Sequence, residues 1–427
     1  MNDSDENLKY CPHCGTKIDR KASFCFACGS ELEEETAVQP EKGEPASKIA
    51  QKMERVSTKI EDKIEKVTNK VAGKKEKKKK KKTYRKGLIA GIIISCLVFS
   101  IIGFFIVGAF TFASHQESFT FYYNQASPAS VEECIVYADT ASIQIQYNST
   151  PVSYVAKADV NFQFSGLFMA GKTYQNFFNP ISWINTSSAE LTLTSIHWAW
   201  IDPTNWFKLE NHVVTLTLRT DIVYNITATS ITGGVSITVP ENVTVNDLTL
   251  SCTTGGVNIY GTGANFSQGL SSSTTTGSVL LNFTRCSFGD DIAGGTTTGG
   301  VTLNTYNADY AQDITWTLST TTGGIVMNIQ QYSNMSASVT GSATAVTGGI
   351  SAQYYDNHIQ YGARFKSRTT TGGVGYPGAG TNGFAATTHD GTYFVTPTDD
   401  FSSAFYTYDL ILTTTTGGID VYGDNNI

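Results

Sequence analysis

Charge is scarce in this sequence of 427 residues, only 16% of which are Asp, Glu, Lys or Arg. From Leu88 to Phe112 it is missing altogether, and helices of soluble cores rarely run that long without a charged residue. At about 1.5 Å per residue the stretch reaches roughly 37 Å, against a hydrocarbon layer of about 30 Å. A transmembrane helix is predicted over 87–113. A cleaved signal peptide would have a shorter apolar part lying closer to Met1. Cysteine is just as sparse beyond this span, where only Cys134, Cys252 and Cys286 occur. Three widely spaced thiols make no disulfide framework, and they are expected to be buried and free. The five histidines there, His115, His197, His212, His358 and His389, lack metal-ligand spacing, and no Gly-Gly-x-Gly-x-Asp calcium repeat occurs. The paired acids Asp290-Asp291 and Asp399-Asp400 fall in apparent loops, so the gathered carboxylates of a glycosidase or lyase are missing. A non-enzymatic outer part is expected.

The charge that is present sits unevenly. Residues 1–86 carry 22 basic and 15 acidic side chains (net +7), whereas 114–427 carry 8 and 22 (net −14), which sums to the overall −7. Lys74, Lys75, Lys77 to Lys82, Arg85 and Lys86 directly precede the apolar span, while the next charge after it is Glu117. Basic residues stay on the cytoplasmic side, so the N-terminal part is expected inside and the C-terminal part outside the cell membrane in a single pass.

Near the N-terminus stand Cys11-Pro12-His13-Cys14-Gly15 and Cys25-Phe26-Ala27-Cys28-Gly29. Two CxxC pairs, each closed by a glycine, supply four thiolates for one tetrahedral zinc and leave no open position for catalysis. Cys11, Cys14, Cys25 and Cys28 are therefore the predicted ligands of a structural zinc. A unit of this size draws most of its folding free energy from the metal. Residues 8–31 resemble the short zinc-ribbon family of membrane-protein N-termini. That resemblance implies zinc and docking of a protein partner, not a reaction.

Residues 32–46 are acidic and proline-broken, a flexible linker. Over 47–73, Ile49, Met53, Val56, Ile60, Ile64, Val67 and Val71 keep to one helical face, with a basic residue before each. The stripe fits an amphipathic helix on the anionic inner leaflet, a coiled coil forming a homo-oligomer, or a plain solvated helix. The polybasic segment 74–86 favours contact with acidic lipid, at about 1 kcal/mol per basic residue. Nucleic acid is the poorer partner, because aromatics other than Tyr84 are missing from the tract and lipid phosphate lies nearer.

Beyond the span a Thr-Gly-Gly-Val/Ile tetrad recurs, its first glycine at Gly233, Gly255, Gly277, Gly299, Gly323, Gly348, Gly372 and Gly417. The spacing is 22 to 25 residues except for a last gap of 45, read as two periods with one degenerate copy between. Only Ser278 replaces a second glycine. After each pair come Val235, Val257, Val279, Val301, Ile325, Ile350, Val374 and Ile419, and two residues on stand Ile237, Ile259, Leu281, Leu303, Met327, Ala352, Tyr376 and Val421. Period two means strands with one buried face. Copies stacked in sequence order at about 4.8 Å would form a parallel β-solenoid of 22-residue coils, with glycine corners beside a ladder of the tetrad threonines. The fold class expected is mainly β: this solenoid outside, one membrane helix, a zinc ribbon and a cytosolic amphipathic helix.

Residues 213–427 look like the "putative adhesin" family of β-solenoid domains, which implies a scaffold rather than a named ligand. Residues 114–212 lack the tetrad but hold Trp183, Trp198, Trp200 and Trp206, read as core of a β-rich cap or of irregular first coils, with contact to lipid headgroups as the alternative. Of the Asn-x-Ser/Thr sites outside, Asn282 is the first expected on the solvent face. The sequence points to an adhesive or structural surface scaffold with a glycan or cell-envelope partner outside and a zinc ribbon inside. The alternative is a sensor that couples an external ligand to the cytosolic helix.

Overall fold

A computed structural model describes residues 8–10, 17–19, 89–125, 128–149, 152–197, 201–356, 361–376, 384–385, 387–390, 393–398 and 401–423. The chain divides into two units, Met1–Leu97 and Val98–Ile427. Near the N-terminus Leu8–Tyr10 pairs antiparallel with Lys17–Asp19, with Tyr10 opposite Lys17. A helix over Ile89–Phe110 is long and apolar enough to cross a membrane, and its apolar window is unburied. The linker, the striped segment and the polybasic run lie outside the described residues.

The second unit is mainly β. Each repeat runs as one strand up to its tetrad threonine, turns at the glycine pair and leaves as a second strand. The post-glycine strands pair parallel and in register, Val257 opposite Val279, Val279 opposite Val301, Val301 opposite Ile325 and Ile325 opposite Ile350. The strands before the glycines form a second ladder, in which Thr254, Thr276, Thr298, Thr322 and Thr347 are successive partners. Val235, Val257, Val279, Val301, Ile325, Ile350 and Ile419 are all buried, as are Ile237, Ile259, Leu281, Leu303, Met327, Ala352 and Val421. Burying one such side chain contributes about 1.5–3 kcal/mol. A short third ladder lines up Phe266, Phe288 and Tyr310, whose buried rings stack at 5.4 and 5.9 Å.

The glycine corner has a steric cause. The first glycine of every tetrad has φ between 135° and 145°. A Cβ there would collide with the carbonyl of the corresponding glycine in the neighbouring repeat, as at Gly299 against Gly277 and Gly323 against Gly299. Only glycine tolerates both constraints.

The tetrad threonines stack in register beside the corner and are exposed. The corner is braced by the residue three before the glycine: Thr274, Thr296, Thr320, Thr369 and Thr414 each donate 2.9–3.0 Å hydrogen bonds to the first-glycine carbonyl of the adjacent repeat. Ser230 donates likewise to Ala141, and the thiol of Cys252 to Gly233. These side chains lie on the inward face of their strands, where a free carbonyl would be costly.

The stacking order departs from sequence order. The Gly417 repeat pairs with the Gly348 repeat on one side and the Gly372 repeat on the other, so the later copy lies between two earlier ones. No degenerate tetrad is stacked between them. Among the described residues of that gap, Tyr393–Pro397 instead pairs antiparallel with Tyr361–Thr371 and covers its outer edge. In the inserted repeat Tyr408, Leu410, Leu412 and Ile419 are buried; in the end repeat Tyr361, Ala363 and Phe365 are buried too, but Val374 is half-buried and Tyr376, expected inward, is exposed.

The other end is out of order too. Ser142–Asn148 pairs parallel with Val235–Val239, and Glu132–Ala138 with Tyr224–Thr232, although neither carries a tetrad. Val213–Arg219 and Ala156–Gly166, between them in sequence, and Ala113–Tyr123, ahead of them, extend one sheet outward. Ala189–Leu193 and Ser182–Ile184 extend the other. The tryptophan expectation fails at Trp206, which is 64% exposed. Trp198 and Trp200 lie outside the described residues, and the one fully buried tryptophan among those described is Trp316, within the repeats. Cys134, Cys252 and Cys286 are free and buried.

Candidate binding face

The side chains that alternate with the inward rows form the outer surface of the threonine-side ladder. Four positions before the first glycine stand Thr229, Ser251, Ser273, Gly295, Ser319 and Thr344, each opposite the next across the ladder. Two positions before it, Thr253, Thr275, Thr297 and Thr321 are exposed, and the tetrad threonines add another row. Neighbouring strands repeat at about 4.8 Å and alternate residues along a strand at about 6.6 Å, so the hydroxyls form a grid. One neighbouring pair, Thr229 and Ser251, already shares a 2.9 Å hydrogen bond. At Gly295 the grid is interrupted, and a shallow groove of about 510 Å³ opens over Ser251, Ser273, Thr275, Thr297 and Ser319.

This face is almost free of charge. In the five threonine-side strands from Thr244–Thr254 to Val339–Thr347 the one charged residue is Asp247. Each hydroxyl donates one hydrogen bond and accepts two, so the surface can match a polar, uncharged polymer at many points without selecting an ion. Charge returns at the interleaved end, where Arg364 and Lys366 pair with Asp409 and the Arg364 guanidinium lies 4.6 Å from the Phe401 ring centre. Burial raises the Asp409 pKa, but the Arg364 and Lys366 contacts outweigh it and hold the carboxyl below the usual range.

A second concavity, about 700 Å³, brings Asp139, Tyr137, Ser195 and His197 together. Asp139 accepts from the Ser195 backbone at 2.8 Å, the Ser195 hydroxyl at 3.1 Å and the Tyr137 hydroxyl at 2.8 Å. Donation to Asp139, with some burial, raises the Tyr137 pKa. With its backbone N–H bound to Leu193 and its carbonyl to Thr232, Asp139 ties the first stacked strand to its neighbours. The sequence singled out His197 but neither Asp139 nor Ser195, which meet only through the fold.

The predicted zinc ligands Cys11, Cys14, Cys25 and Cys28 lie outside the described residues. What is described are the two paired strands that flank the first CxxC pair in the sequence. Four thiolates in two such knuckles fit zinc by their chemistry.

Residues 10–32 match the family model described as a zinc-ribbon domain. No curated protein matches the chain. Among solved structures, a "putative cell adhesion protein" from Clostridium sporogenes aligns at 11% identity over 73% of this chain and 100% of its own, with a TM-score of 0.25. A "putative adhesin" from Bacteroides fragilis aligns at 9% identity over 72% of this chain and 97% of its own, with a TM-score of 0.32.

Proposed function

We propose that this chain is a single-pass membrane protein whose outer part is a non-enzymatic β-solenoid, an adhesive or structural scaffold on the cell surface. The helix at Ile89–Phe110 spans the membrane with residues 1–86 in the cytoplasm. There Cys11, Cys14, Cys25 and Cys28 hold a structural zinc, and the ribbon docks a protein partner. The polybasic segment contacts the anionic inner leaflet.

The observation that carries the reading is the register of the repeats. Strands about one period apart pair side by side, so the outward positions accumulate into an uncharged hydroxyl grid instead of scattering. Many weak, evenly spaced hydrogen-bonding groups suit a long neutral glycan of a cell envelope better than a small charged metabolite. The test is retention of the full-length protein, in detergent micelles, on insoluble neutral polysaccharides. Retention is expected to fall at least tenfold in Thr275→Lys/Thr297→Lys, both outward-facing, with folding unchanged. Equal retention of the variant would overturn the binding face. External protease on intact cells is expected to digest the repeats and spare the ribbon, and the reverse would overturn the orientation.

A further inference from the structure

The C-terminal part of the apolar helix is not free of the β domain. Phe104 meets Phe168 at 4.5 Å and Phe207 at 6.0 Å between ring centres, and Phe105 meets Phe207 at 5.4 Å. Phe168 also lies against Gly108, where a Cβ would come within 2.8 Å of its ring. The turn that carries Phe168 is bonded in place, Ala170 N–H to Thr111 at 3.1 Å and Leu167 N–H to Phe207 at 3.2 Å. Phe168 itself has φ 64°, a conformation a bulky side chain adopts only under constraint.

Depth follows from arithmetic. The helix has 22 residues, roughly 33 Å, for a hydrocarbon layer of about 30 Å, so it can slide by only a few ångströms. Phe104 lies six residues before its end, about 9 Å down the axis. Rings that touch Phe104 and Phe105 must then reach the acyl region themselves. Beside them Trp206 is 64% and Leu209 75% exposed, and Ile201 and Phe110 are also open. Charges on the same loop are paired, Asp202 with Lys172 at 3.7 Å and Glu210 with Lys208.

We propose that the turn 166–170 and the loop 201–209 form a collar that dips into the outer leaflet, with Phe168 and Phe207 at acyl depth and Trp206 and Leu209 in the interface. The partner is the lipid bilayer itself. The scaffold is thereby seated on the membrane rather than swinging from a tether. This rests on the reading of the helix as membrane-spanning.

The test uses the full chain in nanodiscs of phosphatidylcholine brominated high on the acyl chain, with tryptophan emission as the readout. Bromolipid should quench a component of the emission that disappears in Trp206→Phe. Leu209→Asp, at an exposed site that leaves the fold intact, should lower the quenched fraction at least twofold. Quenching unchanged in both variants would overturn the collar. Carbonate extraction separates the two claims: protein that stays in the membrane while Trp206 is unquenched refutes the collar alone, and protein released by carbonate refutes the spanning helix and the collar together.

Discussion

The repeats from Gly255 to Gly348 and the two at the C-terminal end, Gly417 and Gly372, use one tetrad and one pairing register, yet only the first group stacks in the order in which it is written. The tetrad therefore specifies how two repeats fit together and not which two. Any pair presents the same glycine corner, the same threonine partners and an apolar residue after the glycines, so stacking energies at the corner are nearly interchangeable. What differs between the copies lies away from the corner, in the inward rows and in the length of chain that joins them.

The sharpest way to break the comparison is to place a charge at one tetrad position in both groups. Val301 is fully buried and Val374 only half-buried. Val301→Asp should cost roughly 4 kcal/mol through an unpaired buried carboxylate, and Val374→Asp about 1 kcal/mol or less. Urea denaturation reads both, and equal costs would mean that the Gly372 repeat is packed as deeply as the central ones.

Next in size is the corner itself. Gly299→Ala puts a Cβ into the Gly277 carbonyl at φ 138° and should cost about 3 kcal/mol. At the following glycine a Cβ would sit 3.4 Å from the Gly324 oxygen, and Ser278 already occupies the same place in another repeat. Gly300→Ala should stay within about 0.5 kcal/mol. Similar losses at both would show that corner crowding is not what selects glycine.

Crosslinking tests the order directly. Thr344 is the register partner of Thr413, which in turn partners Arg368. Adjacent strands place Cα atoms about 4.8 Å apart, within disulfide reach, and next-nearest strands about 9.6 Å, beyond it. Thr344→Cys/Thr413→Cys should oxidise readily and Thr344→Cys/Arg368→Cys should not. The opposite pattern would restore sequence order.

How far the sequence disclosed this fold depends on what each residue type can signal. The inward rows were legible because apolar residues at period two, repeated after every glycine pair, leave little choice of face. The order of the last two repeats was not, since Gly372 and Gly417 are identical at the corner and the burial of Tyr408 and Leu410 emerges only once the strands are paired. The hydroxyl brace was hidden for another reason. In Thr274-Thr275-Thr276 three equal residues end up one buried and two exposed, and strand alternation alone would have set Thr276 on the same side as Thr274. The outward grid shares that ambiguity. The zinc-ribbon match at residues 10–32 falls where the CxxC spacing pointed, because that spacing is itself the geometric signal.

The smallest effect tests the brace where it is incomplete. Thr296→Val should cost about 1 kcal/mol by depriving the Gly277 carbonyl of its donor, while Thr298→Val, on the exposed side, should cost almost nothing. At the Gly323 corner the equivalent residue is Ala345, which is buried and has no hydroxyl to offer. Its neighbours in the same row, Thr320 and Thr414, both brace their corners, so the row has room for a hydroxyl. Ala345→Ser should therefore gain about 0.5–1 kcal/mol, a rare stabilising change in a buried position. If it destabilises instead, the Gly323 carbonyl is served by some other donor, and the brace is a feature of particular repeats, not a rule of the corner.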